Sequence, residues 1–338
     1  MAVRIDSNQP IVGYIESQIG GRSENQDSAG FKDVALGSII VICDGMGGGN
    51  GGSIASRLAV QTVIDDISEA KYYHDPVEKL ETAIKHANSV IYATGNADAS
   101  LKGMGTTLTA ILISKQSAVV AHVGDSRVYQ LRRGKKVFRT NDHSMVFQMV
   151  KQGYITEEEA RNHPQSNVIL SALGIGEDVM PEIVELSYNK GDRFVLCTDG
   201  FWGAMEENDF LRYVTGKGDL SETIVNAANE VNSIGLRSGG GHDNLTAAII
   251  DLKRNSKLKP KMRNSHIAVL CILIVLLLAS IAVNVLVATQ YSKRYNSSIC
   301  TLFVEPNTVD EVQITDVDAS DTEIVDGDVD GVDSEATE

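Results

Sequence analysis

The sequence predicts an α+β fold, because apolar strand-like runs alternate with helical runs and several strands follow one another closely enough to form antiparallel hairpins. Ser38–Cys43 and Arg193–Thr198 are short apolar runs of the kind that form buried strands. The runs Thr107–Ser114, Ala118–Gly124 and Arg127–Leu131 are separated only by short polar breaks. This spacing favours antiparallel pairing of the three strands.

Three helices are predicted from apolar periodicity and start signals. The first begins near Ser53 and the second near Pro76, and each has one apolar face at helical spacing. The third begins with a capping box, in which Thr156 and Glu159 can each satisfy a backbone donor of the other, and it is predicted to end at His163-Pro164.

The negative charge of the chain is concentrated at its C-terminus. The formal net charge is −15, and residues 301–338 contain 13 Asp and Glu residues and no Lys or Arg. The remainder is therefore close to neutral, and nothing in it predicts nucleic-acid binding. The four cysteines form no C-x-x-C pair, which argues against a disulfide framework or a zinc site. We interpret Cys43 and Cys197 as small apolar residues.

Residues 267–289 are predicted to form one transmembrane helix. The segment carries no charge and is long enough to span the roughly 30 Å of bilayer hydrocarbon. Six Lys and Arg residues precede it between positions 253 and 263, and only Lys293 and Arg294 follow it. The positive-inside rule therefore predicts a single-pass cell-membrane protein whose N-terminal domain is cytoplasmic and whose tail is on the opposite side. The basic residues either bind membrane lipid or only set this orientation.

The chain is thus divided into a folded domain (1–255), a basic juxtamembrane linker (256–266), the transmembrane helix (267–289) and an acidic tail (290–338). The tail has few aromatic residues and is predicted to be disordered. Its residues 326–331 are similar to the start of a calcium-binding loop. Thr337 stands where that loop needs Glu, and no flanking helices are visible, so a solvated acidic tail is favoured.

Four aspartates lie at the ends of predicted strands. Asp44, Asp125 and Asp199 end three of them, and Asp243 directly precedes the strand Asn244–Asp251. Carboxylates gathered at strand ends repel one another unless a cation compensates their charge. Oxygen ligands of this kind suit Mg²⁺ or Mn²⁺. Each aspartate alone is typical of a turn or cap, but the four together favour a metal site.

Arg22 and Asp27 lie upstream in the stretch R-S-E-N-Q-D. The planar fork of an Arg side chain binds phosphate oxygens in bidentate fashion. An Asp five residues away can lie beside a metal ion while the Arg holds the anion of a substrate. Without this context Arg22 would be interpreted as a surface cation.

Six motifs occur in a fixed order between residues 10 and 252: R-S-E-N-Q-D (22–27), D-G-M-G-G (44–48), G-T-T (105–107), G-D-S-R (124–127), C-T-D-G (197–200) and D-N (243–244). The series resembles the bacterial type 2C (metal-dependent, PPM-type) serine/threonine protein phosphatase family. Residues 151–160, His163-Pro164 and residues 172–174 also resemble the flap region of that family. One such motif would be a weak signal, whereas six in order are specific.

The resemblance implies a four-layer α-β-β-α sandwich with two mostly antiparallel sheets. It also implies two Mn²⁺ or Mg²⁺ ions, with a third at a weaker site. The implied ligands are Asp44 as the bridge, Gly45 through its carbonyl, Asp199 and Asp243 at one ion, Asp27 through a metal-bound water, and Asp125 with Asp199 at the third site.

The implied reaction is hydrolysis of phosphoserine and phosphothreonine in proteins by a hydroxide that bridges two ions. Arg22 and Asp44 are the predicted catalytic residues, and Arg22, with the ions, would hold the phosphoryl oxygens. The predicted partners are phosphorylated proteins and, by analogy, a cognate Ser/Thr kinase and its substrates. Met46 replaces the His that eukaryotic members place after the Asp-Gly pair, and Gly203 replaces an Asp near the third site, so the general acid is open.

Two other functions are compatible with parts of the sequence. Residues 47–52 match G-x-G-x-x-G after a strand, as in nucleotide-binding folds, but no acidic residue ends a second parallel strand about 20 residues on. A non-catalytic phosphatase-like binding module is the second alternative, although all the core ligands are present.

Overall fold

The structure is a computed structural model that describes residues 2–47, 50–216, 218–258 and 265–302. The chain divides into two compact units between residues 261 and 262.

The first unit is built on two β-sheets whose strand pairs are all antiparallel. One sheet has the order β1-β2-β12-β11-β8-β9, and the other has the order β10-β7-β6-β4-β3, with β5 paired to β4. The strands are β1 Val3–Ile5, β2 Ile11–Gln18, β3 Asp27–Val34, β4 Gly37–Met46, β5 Gly105–Thr106, β6 Leu108–Ile113, β7 Ala118–Val123, β8 Arg127–Arg132, β9 Lys135–Arg139, β10 Glu182–Leu186, β11 Arg193–Cys197 and β12 Leu245–Leu252.

Seven α-helices accompany these strands in the first unit, with one 3₁₀ turn at Ala99–Leu101. They are α1 Gly51–Glu69, α2 Pro76–Ala97, α3 Met145–Lys151, α4 Glu157–Arg161, α5 Asp199–Trp202, α6 Glu207–Val214 and α7 Leu220–Arg237. Thr156 and Glu159 form both bonds of the capping box at α4, as predicted. The helix ends at Arg161, two residues before the predicted end at His163-Pro164.

Three apolar clusters separate four layers. Along β4, Ile39 and Val41 contact helices α1 and α2, whereas Ile40 and Ile42 point to the opposite face of their sheet. The cluster on that second face contains Phe194 and other residues from the strands of both sheets. The third cluster joins the outer face of the β11-containing sheet to α5, α6 and α7. The predicted α-β-β-α arrangement with two antiparallel sheets is therefore confirmed.

The second unit is described as one helix, α8, from Ser265 to Leu302. Within it, Val275–Arg294 has a mean hydropathy of 1.7 and is long and apolar enough to cross a membrane. Residues 290–302, which the sequence predicts to be part of the acidic tail, lie in the same helix as the apolar segment. No Gly or Pro occurs between 265 and 302 to end it earlier. The rest of the tail, including the calcium-loop-like residues 326–331, lies outside the described residues.

Candidate active site

Asp44 is held by its main chain against two threonines. Its amide N–H donates to Thr107 Oγ1 at 3.0 Å, and its carbonyl accepts from Thr107 N at 2.8 Å and from Thr106 Oγ1 at 2.7 Å. These contacts give the G-T-T motif a physical role, because they fix the end of β4 while leaving the Asp44 carboxylate available for other partners.

Gly45 lies where the chain passes very close to the start of α1. A Cβ atom at Gly45 would be 2.1 Å from the carbonyl oxygen of Gly52, so no larger residue fits without a backbone shift. The Gly45 amide donates to the carbonyl of Gln26 at 3.1 Å. The end of β4 is thus joined to the loop that carries Arg22.

Asp27 begins β3 directly opposite Asp44 in the antiparallel register. Its Oδ2 accepts a hydrogen bond from Thr198 Oγ1 at 3.0 Å. Thr198 directly precedes Asp199 in the sequence. The Oδ1 atom of Asp27 is buried without a hydrogen-bond partner among the described residues. A buried carboxylate oxygen without a donor is costly, which points to a cation as its missing partner.

Asp199 and Asp243 are brought together by two close turns. Asp199 is the first residue of α5, immediately after β11, and Asp243 precedes β12, the neighbour of β11 in the sheet. A Cβ atom at Gly200 would be 2.1 Å from the carbonyl oxygen of Asn244. Glycine therefore permits the approach of the two turns that bear these carboxylates.

Arg22 contacts the site through Asp243. Its Nη2 lies 2.9 Å from Asp243 Oδ2, and the side chains are 52% and 41% exposed, respectively. The pair therefore lies at the open mouth of the site, where Arg22 is accessible to an anion from solvent. An exposed ion pair of this kind adds little to stability, so its value is in orienting the guanidinium.

Asn244 positions the Arg22 loop and was not predicted as a site residue. Its Oδ1 accepts from Gln26 N at 2.8 Å, and its Nδ2 donates to the carbonyls of Ile19 at 2.7 Å and Glu24 at 2.9 Å. One buried amide thus closes the loop that carries Arg22. Its place in the D-N motif was the only sequence feature that could have indicated a role. The role itself could not be predicted, because its hydrogen-bond partners lie more than 200 residues away in sequence.

The predicted site residues are divided between two adjoining cavities. Arg22, Asp44, Gly45, Asp199 and Asp243 line one open cleft of about 750 Å³. Asp125 instead lines a neighbouring cavity, to which Asp199 also contributes. Asp27 lies behind the cleft and is buried.

Burial raises the pKa of four carboxylates in this site. For Asp27 the pKa rises to about 7, mainly through burial and partly through the charges of Asp199 and Asp243. For Asp44 and Asp125 both pKa values lie well above the usual range. Burial is the largest cause in each case, and the charge of Asp199 is the second largest. For Asp199 burial and the charge of Asp243 raise the pKa, while a side-chain hydrogen bond to Asp44 lowers it.

The donor set fits divalent cations. Oδ1 atoms of Asp27, Asp125 and Asp199 are all buried without a hydrogen-bond partner among the described residues. Clustered carboxylate oxygens suit hard ions such as Mg²⁺ and Mn²⁺, and the guanidinium of Arg127, which also lines the Asp125 cavity, is already paired with Asp142. These ions would replace the missing partners and remove the mutual repulsion that raises the pKa values.

A second group of potential metal ligands, His122, His143 and Glu182, lies behind Asp125, with ligand atoms within 4.8 Å of one another. His122 Nε2 lies 2.7 Å from the carbonyl of Asn141, and His143 Nδ1 accepts from Gly124 N at 3.3 Å. Both contacts favour a proton on Nε2 of each histidine. These two Nε2 atoms lie 3.9 Å and 3.8 Å from Glu182 Oε2. The group therefore fits an ion less well than the carboxylate site does.

Both cysteines of the first unit are fully buried thiols. Cys43 directly precedes Asp44, and Cys197 lies two residues before Asp199. Burial raises the pKa of each thiol, and neighbouring aspartates raise it further. Buried thiols with a raised pKa are poor nucleophiles, which agrees with their interpretation as apolar residues.

The antiparallel surroundings of β4 are incompatible with the nucleotide-binding alternative. Its neighbours β3 and β6 both run antiparallel to it. A dinucleotide fold needs a parallel βαβ unit at the glycine-rich turn. Gly52, the last glycine of the G-x-G-x-x-G match, instead permits the close approach of α1 to Gly45.

Comparisons with known proteins identify the family of this chain. The family model for protein phosphatase 2C matches residues 16–233. The serine/threonine phosphatase stp of Listeria welshimeri is 33% identical over 235 residues, covering 68% of this chain and 91% of the relative. The serine/threonine protein phosphatase PstP of Mycobacterium tuberculosis is 35% identical over 231 residues, covering 68% of this chain and 43% of the relative.

Solved structures of serine/threonine phosphatases have the same fold as this chain. The Streptococcus agalactiae serine/threonine phosphatase superposes with a TM-score of 0.66 at 33% identity, covering 72% of this chain and 99% of that one. The catalytic domain of PstP in complex with two manganese ions superposes with a TM-score of 0.59 at 32% identity, covering 71% and 97%. The fold and site define a phosphoric monoester hydrolase. The chain belongs to the protein phosphatase 2C family, in the bacterial group of serine/threonine protein phosphatases.

The Asn244→Ala variant should lose activity through the Arg22 loop. Removing three hydrogen bonds would release the loop and misplace the guanidinium, and misplacement by about 1 Å can cost about 10²-fold in rate. We expect kcat/KM for p-nitrophenyl phosphate to fall by roughly that factor. Asn229→Ala, which removes only an exposed contact to Gln18, is the matched control. Equal activity of the two folded variants would contradict the role of Asn244.

Stabilisation by Mn²⁺ should depend on pH. An aspartate whose pKa is raised on folding stabilises the metal-free folded state at low pH, where it is protonated. For Asp27 this contribution to the free energy of unfolding is lost as the pH rises from about 4 to about 7. The same deprotonation creates the ligand. We expect Mn²⁺ to raise Tm more at about pH 8 than at about pH 5.5, on the two sides of the Asp27 pKa.

Comparing Tm with and without Mn²⁺ at each pH cancels the opposite contribution of buried histidines. Burial lowers the pKa of both His122 and His143, so they reduce stability as pH falls, whether or not an ion is bound. A Mn²⁺-induced Tm shift that is the same at both pH values would contradict the carboxylate site.

Proposed function

We propose that this phosphatase hydrolyses phosphoserine and phosphothreonine in proteins by a metal-dependent reaction at the Asp44 cleft. The observation that supports this most directly is the burial of carboxylates from distant parts of the sequence in one place, with unpartnered oxygens. Such an arrangement needs compensating cations. A manganese-bound relative of the same fold supports the choice of ion.

Asp44, Asp199 and Asp243 would hold ions at the cleft, with the carbonyl of Gly45 completing one coordination shell. Asp27, buried behind Asp44, would act at the same pair of ions through a water molecule. Asp125 and Asp199 would hold a third ion in the neighbouring cavity. When bound, Mn²⁺ or Mg²⁺ lowers the pKa of water and supplies hydroxide near neutral pH as a nucleophile for phosphorus.

Arg22 would bind the phosphoryl group at the mouth of the cleft. Its guanidinium is half exposed and is oriented from one side by Asp243, so its remaining N–H donors can contact phosphate oxygens. The closure of its loop by Asn244 places these donors before the substrate arrives, which lowers the entropic cost of binding. Met46, where eukaryotic members have His, lines the cleft but cannot donate a proton.

Phosphorylated proteins at the membrane surface are the proposed substrates, with a membrane Ser/Thr kinase as the opposing enzyme. The apolar helix and the excess of basic residues before it support a single-pass anchor with a cytoplasmic catalytic unit. Anchoring would confine the enzyme to the bilayer surface and raise the local concentration of substrates held there.

The Asp44→Asn and Asp199→Asn variants should abolish Mn²⁺-dependent hydrolysis of phosphothreonine peptides by the full chain in detergent. Each replacement removes an anionic ligand, and it also removes repulsion from the metal-free site. We therefore expect Tm without metal to be unchanged or higher, which separates lost chemistry from lost folding.

Asp65→Asn, at an exposed position on α1 where Asp65 contacts only Gln61, is the matched control and should retain full activity. Retained turnover in either site variant would refute that ligand. A wild-type protein that binds phosphopeptide but shows no turnover with Mn²⁺ or Mg²⁺ would favour the non-catalytic binding module.

Thiol labelling tests the proposed orientation in the membrane. Cys43 and Cys197 are buried and Cys271 lies within the apolar segment, whereas Cys300 follows it. A membrane-impermeant maleimide should label the chain in intact cells, and Cys300→Ser should remove this label. Labelling only after cell lysis would reverse the assigned orientation.

A further inference from the structure

Trp202 is the only tryptophan of the chain, and it lies beside the proposed third ion. It is the last residue of α5, the single helical turn that begins with Asp199. Asp199 and Trp202 are three positions apart, so their side chains lie on the same side of this turn. Any displacement of Trp202 therefore acts directly on the turn that carries Asp199.

The indole also contacts the loop of the second proposed ligand. Trp202 Nε1 donates a hydrogen bond to the carbonyl of Asp125 at 3.1 Å. Asp125 lies in the loop between β7 and β8, whereas Asp199 follows β11, which pairs with β8. The hydrogen bond thus ties the β7–β8 loop to α5 at the cavity that both carboxylates line.

Arg127 holds the plane of the indole ring. The Arg127 Cζ atom lies 3.3 Å from the centroid of the Trp202 ring, close enough for a strong cation–π contact. The guanidinium is fixed in turn by two hydrogen bonds to Asp142, at 2.8 Å and 2.6 Å. The direction of the indole N–H is therefore set by a buried ion pair rather than by packing alone.

The Asp125 loop needs such support. Gly124 adopts φ +101°, a conformation that is easily populated only by glycine. Asp125 Oδ1 is buried without a partner among the described residues, as is Asp199 Oδ1. The two carboxylates repel each other, and this repulsion acts to separate the Asp125 loop from α5.

We propose that Trp202 is a positioning residue for an ion between Asp125 and Asp199, acting through the hydrogen bond from its indole N–H to the carbonyl of Asp125. The inference rests on the proposed function, because this ion belongs to the proposed active centre. It adds that affinity at this position depends on a residue that is not a ligand.

Terbium luminescence tests whether an ion binds beside Trp202. Tb³⁺ takes hard oxygen ligands as other hard cations do, and it emits when energy is transferred from a nearby indole. Excitation at the long-wavelength edge of the indole band, where tyrosine absorbs little, restricts sensitised emission to ions near the one tryptophan of the chain. We expect emission on adding Tb³⁺ to the full chain, competition by Mn²⁺, and loss of most emission in Asp125→Asn but not in Asp65→Asn. Equal emission from all three proteins would overturn the assignment.

Trp202→Phe tests the hydrogen bond itself, because it keeps an aromatic ring under Arg127 and removes the N–H. We expect the Mn²⁺ concentration for half-maximal activity to rise roughly tenfold. Electron paramagnetic resonance of free Mn²⁺, measured without substrate, counts the ions bound to the protein. At a Mn²⁺ concentration that just fills the sites of the wild type, the number bound should fall by one in the variant. Tyr129→Phe, which removes another contact of Arg127 without touching Asp125, is the matched control and should change neither value.

These readouts separate the two proposals. Ion binding is measured without substrate, so an inactive wild-type protein would refute the proposed function and still test the role of Trp202. A folded Trp202→Phe protein with unchanged Mn²⁺ binding would overturn the inference even if hydrolysis is confirmed. If this variant does not fold, the terbium comparison of wild type with Asp125→Asn still tests the ion on which the inference depends, and equal emission from the two proteins overturns it.

Discussion

Repulsion among buried carboxylates is the constraint on which the rest of this structure depends. Asp27, Asp44, Asp125 and Asp199 lie in surroundings that disfavour their charge. Only a rigid framework can hold such groups together, and the sandwich provides it, because each aspartate is adjacent to a strand of a buried sheet. The hydroxyls and amides of Thr106, Thr107, Thr198 and Asn244 then fix the chain around the acids without neutralising them.

The sequence was most informative where function and local structure coincide. The strands that end at Asp44 and Asp199 were predicted because they are continuously apolar, and the capping box of α4 was predicted because its contacts are local. The strand β3 was not predicted, since its sequence DSAGFKDV is half-buried and lacks a clear apolar alternation. The roles of Asn244 and Trp202 could not be predicted either, because their partners are brought near only by the sheet topology.

The division of the acids between two cavities refines the sequence-based interpretation. The resemblance assigns Asp125, with Asp199, to a third site, and the structure adds that Asp125 lines a different cavity from Asp243. Asp199 lines both spaces, so the occupancy of one affects the charge felt in the other. The site is therefore better described as two coupled compartments than as one cluster of ligands, and α5 is the element that couples them.

The buried thiols next to Asp44 and Asp199 have a consequence for the conditions under which the enzyme works. Phosphatases that attack phosphorus with a cysteine are silenced when peroxide converts the exposed thiolate to a sulfenic acid. Here Cys43 and Cys197 are buried, burial raises the pKa of both thiols, and the proposed metal-dependent reaction uses no thiolate. Signals removed by this protein would thus continue to be erased during oxidative stress, when thiol-based enzymes stop.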